Sequence, residues 1–266
     1  MGLLDEKLKE RITNNLHLFN ELNSEKYGSL DFIQTDTTFD DMCGGILKES
    51  VTVIAGATGD GKSLSSIHLA CSLPKDISIL YCSCENDIRV DIQRKEQCEK
   101  FYNIPENFFY WNFLEDELNN KKFTQMGIID LIKEGCFDIV FLDAWQNLVP
   151  PAENGAEMKA QGDKLMEELI SACRSSKTTV VMTWQLSRGT VAKDIQDLSS
   201  DDLSLSIGVA RYASHIYVIK RSNKTNNKVQ PYWKMRLIKS RTGYNNEKDT
   251  INLIPNGIFK FAKYLK

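Results

Sequence analysis

The stretch from Val51 to Ser63, VTVIAGATGDGKS, decides the fold. It begins as an apolar, largely β-branched run and ends in Gly56–Ser63, which matches the pattern G-x-x-x-x-G-K-[ST] at every fixed position. The glycines let backbone N–H groups converge on phosphate oxygens, and a helix that begins near Lys62 directs its positive dipole end at them. The stretch therefore predicts a strand, a phosphate-binding loop and a helix, in that order.

The side chains of this loop predict how a nucleoside triphosphate is held. The Lys62 ammonium can reach the β- and γ-phosphates, and the Ser63 hydroxyl can ligate a Mg²⁺ ion that bridges them. The predicted nucleotide-binding residues are the loop and the residue after it: Gly56, Ala57, Thr58, Gly59, Asp60, Gly61, Lys62, Ser63 and Leu64. We expect ATP and Mg²⁺ to bind here, with the base preference left open.

Apolar runs alternate with helical stretches along most of the chain. Further strands are predicted at Ile77–Ser83, Phe108–Phe113, Phe137–Leu142, Thr178–Thr183, His215–Lys220, Trp233–Lys239 and Ile258–Ala262. Helices are predicted between them, at Ser63–Ser72, Asp87–Phe101, Phe123–Glu134 and Ala156–Ser175. Continuously apolar strands that alternate with helices predict an α/β fold with a mostly parallel central sheet, flanked by helices.

The N-terminal region stands apart from this pattern. Within residues 3–22, apolar residues recur at helical spacing and predict an amphipathic helix: Leu4, Leu8, Ile12, Leu16 and Phe19. We divide the chain into residues 1–30, a helix and linker, and residues 31–266, the α/β domain. The helix packs on its own domain or docks on a neighbouring subunit.

Composition restricts the class of protein. The chain has 266 residues, of which 42% are hydrophobic and 26% charged, and no apolar run approaches the ~18 residues of a membrane helix. The charged segment Met1–Arg11 lacks the apolar core of a signal peptide, and the seven cysteines are scattered without a zinc spacing. We therefore expect an intracellular, cytoplasmic protein with reduced thiols and no membrane partner.

Charge is unevenly distributed. From Arg211 to Lys266 there are thirteen Lys or Arg residues and two acids, so this segment has a net charge of +11. Because the whole chain has a net charge of −3, the remainder has a net charge of −14. Such asymmetry is typical of a polyanion-binding region or of a basic edge that faces an acidic neighbouring subunit.

Two carboxylates are placed to complete the phosphate site. Asp143 ends the apolar run Ile139–Leu142, where open α/β sheets bind ligands, and it is predicted to hold Mg²⁺ through water. Glu85 follows the strand Ile77–Ser83 and can accept a proton from an attacking water, with Asp87 as the alternative base.

These residues, in this order, resemble the RecA-like motor core of DnaB-type (superfamily 4) hexameric replicative helicases, from about Thr37 to the C-terminus. The resemblance rests on Thr38–Met42 with Gly44 and Gly45, the phosphate loop, Cys84-Glu85, Leu142–Gln146, Thr183–Arg188 and Leu237–Gly243. It implies that Glu85 is the catalytic base and that Gln185 senses the γ-phosphate. It also implies that Lys239 and Arg241 enter the site of the next subunit, so that the active site forms between subunits of a homo-oligomer, a hexamer.

The sequence departs from this family in two places. The family's large N-terminal domain has no counterpart, which suggests a compact helicase of a phage or plasmid, or one half of a two-protein machine. The segment Leu203–Gly208 lacks the Arg of the family's DNA-contacting loop. The DNA-binding candidates are therefore Arg188, Lys193, Ser204 and Ser206, which lie in or directly before a long connection, Gly189–Ser206. This connection is predicted to be structureless, and in a ring motor it would face the central channel.

Three functions fit these observations. The first is a ring motor that hydrolyses ATP and translocates on single-stranded DNA in replication, with a primase or loader protein as a possible partner. The second is a RecA- or KaiC-like oligomeric ATPase that binds DNA or a partner protein without unwinding. The third, a nucleotide kinase, is disfavoured by the candidate Arg241 and by the absence of an evident acceptor site.

Overall fold

A computed structural model of the chain describes residues 29–113, 125–148, 155–190, 192–204, 207–222, 232–243 and 250–253. The chain divides into two units, Met1–Asp31 and Phe32–Lys266. The predicted N-terminal helix and the predicted strand Ile258–Ala262 lie outside the described residues. Nearly all of the described residues belong to the second unit.

Ten strands are described in this unit: β1 (Phe32–Ile33), β2 (Ile46–Leu47), β3 (Val51–Gly56), β4 (Ile79–Ser83), β5 (Phe108–Asn112), β6 (Ile139–Asp143), β7 (Thr179–Gln185), β8 (His215–Ser222), β9 (Tyr232–Ser240) and β10 (Thr250–Leu253). β1 and β2 pair with each other, and the other eight form one sheet in the order β10-β9-β8-β3-β7-β6-β4-β5. The strands from β8 to β5 in this order are parallel, whereas β9 and β10 join antiparallel. The predicted mostly parallel sheet is therefore confirmed.

Six α-helices are described: α1 (Asp40–Cys43), α2 (Lys62–Cys71), α3 (Ile88–Cys98), α4 (Gln125–Lys133), α5 (Gly155–Ser176) and α6 (Ile207–Tyr212). They form two layers, because side chains of a strand point alternately to opposite faces of the sheet. On one face, Val53 belongs to a core shared with α4, α5 and α6. On the other face, Ile54 belongs to a core shared with α1, α2 and α3. All six residues of β3 are buried, as expected of a central parallel strand.

The strand register brings the predicted site residues to one edge of the sheet, which we call the carboxyl edge. Gly56 at the end of β3 pairs with Gln185 at the end of β7, and Ser83 at the end of β4 pairs with Asp143 at the end of β6. β9 runs in the opposite direction, so its last residue, Ser240, pairs with the first residue of β8 at the other edge. We call that other edge the amino edge.

The connection from Gly189 to Ser206 differs from its prediction. Instead of a structureless loop, its described residues include 3₁₀ turns at Ile195–Asp197 and Ser200–Asp202, after a first turn at Arg188–Thr190. Arg236 of β9 donates to the carbonyl oxygens of Ile195 and Gln196 at 3.2 and 2.6 Å. The sequence of the connection is polar, but the guanidinium of Arg236, from a distant strand, binds its backbone carbonyl oxygens and so fixes its conformation.

The remaining features are consistent with the composition. All seven cysteines are free, and Cys82 and Cys84 lie in the same core layer, as their spacing of two predicts. Within the described ranges, no helix combines the length and apolar character needed to cross a lipid bilayer.

Candidate nucleotide site

Asp143 is the most buried charged group of the carboxyl edge. Its side chain is fully buried and accepts hydrogen bonds from Thr183 Oγ1 at 2.7 Å, Ser63 Oγ at 3.0 Å and the Tyr81 hydroxyl at 3.0 Å. Burial raises the pKa of Asp143, and these hydroxyl donors oppose the rise. Three elements therefore fix one carboxylate beside the hydroxyl of the phosphate loop.

Ser63 and Asp143 are suited to a small divalent cation. They offer a hydroxyl and a carboxylate oxygen 3.0 Å apart, and Mg²⁺ prefers oxygen ligands. In the described part of the chain, no group of three or more His, Cys, Asp or Glu residues could hold a metal ion. A Mg²⁺ ion here would therefore draw its other ligands from phosphate and water, as it does in most phosphate sites.

Lys62, the first residue of α2, lies across the loop. Its ammonium donates to the carbonyl oxygen of Ala57 and to Gln185 Oε1, both at 3.1 Å, and only 8% of the residue is exposed. Burial lowers the pKa of Lys62, and the carboxylates of Glu85 and Asp143 oppose that effect. The Ala57 carbonyl oxygen and the Gln185 side chain thus hold the Lys62 ammonium at the phosphate loop.

Gln185 connects the phosphate loop to the rest of the carboxyl edge. Besides its bond to Lys62, its side-chain Nε2 donates to Thr58 Oγ1 at 3.1 Å. Its backbone N–H donates to Gln146 Oε1 at 2.6 Å, and its carbonyl oxygen accepts from Ser204 Oγ at 2.7 Å. A shift in the position of Gln185 would therefore affect both the phosphate loop and the connection that contains Ser204.

Glu85 and Asp87, the two candidate bases, have different surroundings. Glu85 is exposed, and its charge is the largest electrostatic support of the Lys62 ammonium. Asp87 is the N-cap of α3: its Oδ1 accepts from the backbone N–H of Arg89 at 2.9 Å. Hydrogen bonds from Arg89 lower the pKa of Asp87 to about 2. The structure therefore gives Asp87 a capping role and leaves Glu85 as the exposed carboxylate whose charge acts on Lys62.

Three groups of this site were not assigned a role from the sequence. They are Tyr81 and Asn86, which donate to Asp143 Oδ2 at 3.0 and 3.5 Å, and Gln146, which accepts from the Gln185 backbone. Tyr81 is an internal residue of an apolar strand, so no local signal separates its hydroxyl from a core aromatic ring. Asn86 and Gln146 follow strand ends at the carboxyl edge, and that position could have identified them.

Lys239 and Arg241 lie away from this site, at the amino edge. Lys239 pairs with Ile216 near the start of β8, and Thr52 of β3 pairs with His215 beside it. Four residue steps along β3 separate Thr52 from Gly56, which is about 13 Å at 3.3 Å per residue. The predicted pair of cations therefore cannot contact a phosphate held by the loop of the same chain.

Both cations instead bind the C-terminal end of α6. The Lys239 ammonium donates to the carbonyl oxygens of Ala210 and Arg211, and the Arg241 guanidinium also donates to that of Arg211. Burial and the nearby charge of Arg241 lower the pKa of Lys239 to about 8. Free carbonyls and the negative dipole end of a helix favour cations at this position.

The predicted DNA-binding residues are found in dissimilar environments. Arg188 is exposed, whereas Lys193 forms an ion pair of 2.7 Å with the buried Asp202. The Ser204 hydroxyl donates a hydrogen bond to the carbonyl oxygen of Gln185. Ser206 lies outside the described residues. Lys193 and Ser204 thus have structural partners that the sequence did not reveal.

Comparisons with known proteins identify the fold. No family model matches the chain, and neither does any curated protein. Among solved structures, an ATPase domain superposes with a TM-score of 0.68 at 16% identity, covering 98% of this chain and 99% of that one. A DnaB-like replicative helicase, solved to show its interactions with primase, gives a TM-score of 0.69 at 17% identity, covering 98% of this chain and 67% of that one. The chain therefore has the RecA-like fold of the ATPase domains of DnaB-like helicases.

Proposed function

We propose that this chain is the ATP-hydrolysing motor of a DNA helicase, which acts as a homo-oligomer, a hexamer, and translocates on single-stranded DNA. The observation that carries the proposal is the convergence of Lys62, Ser63, Asp143 and Gln185 at the carboxyl edge. The likeness of the fold to helicase ATPase domains supports the same reading.

Each residue of the site has a part in ATP hydrolysis under this proposal. The loop backbone and Lys62 bind the phosphates, while Ser63 and Asp143 hold Mg²⁺, which neutralises charge on the β- and γ-phosphate oxygens when bound. Glu85 accepts the proton of the attacking water, because it is exposed and its charge acts on the Lys62 ammonium. Gln185, whose amide bonds to Lys62 and Thr58, senses the γ-phosphate and couples it to neighbouring loops.

The second half of the site comes from another subunit. Lys239 and Arg241 cannot reach the phosphate loop of their own chain, but a head-to-tail neighbour can present its amino-edge cations to this carboxyl edge. An arginine supplied in this way stabilises the charge of the transition state. A head-to-tail interface forms a closed ring when its rotation closes.

The partners follow from the same proposal. The DnaB-like helicase of similar fold interacts with primase, and we include a primase or a loader protein among the partners of this chain. Single-stranded DNA is the proposed track, with exposed Arg188 as a contact to its phosphates.

One observation favours the second candidate, a RecA- or KaiC-like ATPase that does not unwind DNA. Lys193 and Ser204, two of the residues expected to contact DNA, are bonded within the protein. A protein of this kind would regulate a partner through ATP-dependent assembly.

Measurements of ATP hydrolysis and strand separation distinguish the two candidates. The helicase proposal expects single-stranded DNA to stimulate hydrolysis and a forked duplex to be separated in the presence of ATP and Mg²⁺. The Lys62→Ala chain is the control for both assays. Hydrolysis that is indifferent to DNA, with no separation of the fork, would refute the helicase proposal.

A further inference from the structure

The segment that carries Glu85 joins β4 to α3 and is anchored on both sides of this residue. Before it, the backbone N–H of Cys84 donates to the carbonyl oxygen of Asp143 at 2.6 Å. After it, the carbonyl oxygen of Asn86 accepts a hydrogen bond from Asn112 Nδ2 at 2.9 Å. Because both bonds are made by immediate neighbours of Glu85, they fix the backbone that carries its carboxylate. The position of Glu85 therefore depends on Asn112 as well as on Asp143.

The sheet determines where Asn112 lies. It is the last residue of β5, it pairs with Ser83 at the end of β4, and it is only 5% exposed. This register puts it at the carboxyl edge, on the strand beside the one that leads to Glu85. A buried amide needs hydrogen-bond acceptors, and the Asn86 carbonyl oxygen is one of them.

A chain of hydrogen bonds sets the orientation of the Asn112 amide. Besides its bond to the Asn86 carbonyl, Asn112 Nδ2 donates to the Tyr110 hydroxyl at 3.0 Å. That hydroxyl donates in turn to Asp91 Oδ2 at 2.9 Å, so it serves Asn112 as an acceptor. Each of the two N–H groups of the amide thus has a defined acceptor, and a rotation that exchanged its oxygen and nitrogen would lose both bonds.

Asp91 connects this chain of hydrogen bonds to α3. Its carboxylate is 3% exposed and also accepts from Ser83 Oγ at 2.6 Å and from Arg94 at 2.8 Å. Ser83 ends β4 and Asp91 lies on α3, so this carboxylate joins the strand before Glu85 to the helix after it. Buried polar groups that satisfy one another restrict a structure to one geometry. The network therefore links the three elements around the Glu85 segment: β4, β5 and α3.

We propose that Asn112 is a positioning residue for the base: its amide holds the Asn86 carbonyl and thereby keeps Glu85 where it accepts the proton of the attacking water. The inference rests on the proposed function, which makes Glu85 the base. Its effect falls on the rate of hydrolysis rather than on ATP binding, because Lys62 keeps its own bonds at the phosphate loop. A displacement of about 1 Å at a reacting group can lower a rate by about 100-fold.

The test measures equilibrium binding of ATP and single-turnover hydrolysis, both with Mg²⁺, in the full chain and its variants. Asn112→Leu has a similar size and removes both N–H donors. Its turnover falls about 10- to 100-fold, while the dissociation constant of ATP stays within about 3-fold. Asn112→Asp keeps the shape but presents an acceptor oxygen to the Asn86 carbonyl, and the same loss is expected. Tyr110→Phe removes only the hydroxyl that orients the amide, and turnover falls about 2- to 10-fold.

A double variant separates positioning from a general structural role. If Asn112 acts through Glu85, then Asn112→Leu lowers turnover by less than about 2-fold in a Glu85→Gln chain, because the group it positions is already lost. Thr178→Val is the matched control. It removes a buried hydroxyl that donates to the Phe137 carbonyl oxygen at 3.0 Å, directly before β7, and leaves turnover unchanged.

The outcomes distinguish failure of this inference from failure of the function. Normal turnover in Asn112→Leu, beside a Glu85→Gln chain that binds ATP without hydrolysing it, would overturn the positioning role and leave the function intact. An equal loss from Asn112→Leu with and without Glu85→Gln would also overturn it, because Asn112 would then act independently of the base. If Glu85→Gln hydrolysed ATP normally, the proposed base and the positioning role would fall together. Should Asn112→Leu fail to fold, Asn112→Asp and Tyr110→Phe, tested with and without Glu85→Gln, still decide.

Discussion

The two edges of the sheet hold their polar groups in different ways. At the carboxyl edge, Lys62, Ser63, Asp143 and Gln185 bond to one another and surround the phosphate loop. At the amino edge, Lys239 and Arg241 bond to the last carbonyls of α6. One edge is prepared for an anion within its own chain, and the other carries cations that no ligand of that chain can reach. Under the proposed function, ATP binding is a property of one chain, whereas catalysis requires residues of two chains.

The largest expected effect comes from removing the cation of the amino edge. Arg241→Ala lowers the turnover of ATP by about 10³-fold or more, because the transition state loses an arginine supplied in trans. The dissociation constant of ATP stays within about 3-fold, since the phosphate loop is unchanged. Single-turnover hydrolysis and equilibrium binding measure the two quantities. Loss of binding with normal turnover of the bound nucleotide would contradict the assignment.

Mixing two inactive chains sharpens that result. Lys62→Ala removes the phosphate-binding lysine and Arg241→Ala removes the cation, so neither chain alone hydrolyses ATP. In mixed oligomers, an intact loop of one chain faces an intact Arg241 of the other, and activity partly returns. Activity that stays absent in mixtures shown to be assembled would place both residues in the same chain's site.

The next effect tests which carboxylate of the carboxyl edge is the base. Glu85→Gln lowers turnover about 100-fold or more and leaves ATP binding intact, because general-base catalysis is lost. Asp87→Ala is the matched variant: it removes the cap of α3 and lowers the stability of the chain, but turnover persists. If Asp87→Ala abolished turnover and Glu85→Gln did not, the roles would be reversed.

A smaller effect concerns the response of the amino edge to acid. Burial, helped by the charge of Lys239, lowers the pKa of His215 from 6.5 to about 4, so the folded protein holds this imidazole neutral. The unfolded chain takes up the proton first, so the stabilisation is complete above pH 6.5 and is lost as pH falls toward 4. The loss amounts to roughly 1–3 kcal/mol. Denaturant unfolding at several pH values measures it.

His215→Asn is the control for this effect. Its free energy of unfolding should depend less on pH between 4 and 6.5 than that of the unmodified chain. An unchanged slope would show that another group titrates in this interval.

The smallest effects separate the candidate DNA contacts. Arg188→Ala weakens binding of single-stranded DNA several-fold and reduces its salt dependence by about one counterion. Lys193→Ala leaves DNA binding nearly unchanged, because Lys193 is engaged by Asp202, and costs at most about 1 kcal/mol of stability. Fluorescence titration at two salt concentrations distinguishes them. The opposite ranking would show that the ion pair opens on DNA.

The central strands and the phosphate loop could be predicted because their signals are local. Val51–Ser63 carries both its apolar run and its glycine spacing, and Ile139–Leu142 leads directly to Asp143. Their positions at the carboxyl edge follow from parallel topology alone. By contrast, α6 was not predicted, since Ile207-Gly208-Val209 has poor helix propensity. The Gly208 backbone N–H donates to Asp163 Oδ1 at 2.7 Å, a contact with α5 that sequence reasoning cannot foresee.

The site shows the same division between local and distant causes. The loop and Asp143 were predicted from their positions and Gln185 from the family resemblance, and the structure brings them together. The local structure of the connection from Gly189 to Ser206 was not predicted, because it depends on Arg236 of β9 and on the Lys193–Asp202 ion pair. Likewise, strand β10 escaped prediction because Thr250–Leu253 is short and follows a polar segment.

The bonds from Lys239 and Arg241 to the carbonyls of α6 have a consequence for assembly. A cation that already has acceptors exchanges one set of hydrogen bonds for another when it meets a neighbour's phosphate, so the net gain in free energy is small. Under the proposed function, the cohesion between copies should then depend little on these side chains, although the rate of ATP hydrolysis should depend on them strongly. Under the proposed function, subunits could then dissociate and exchange without first losing a strong ionic contact.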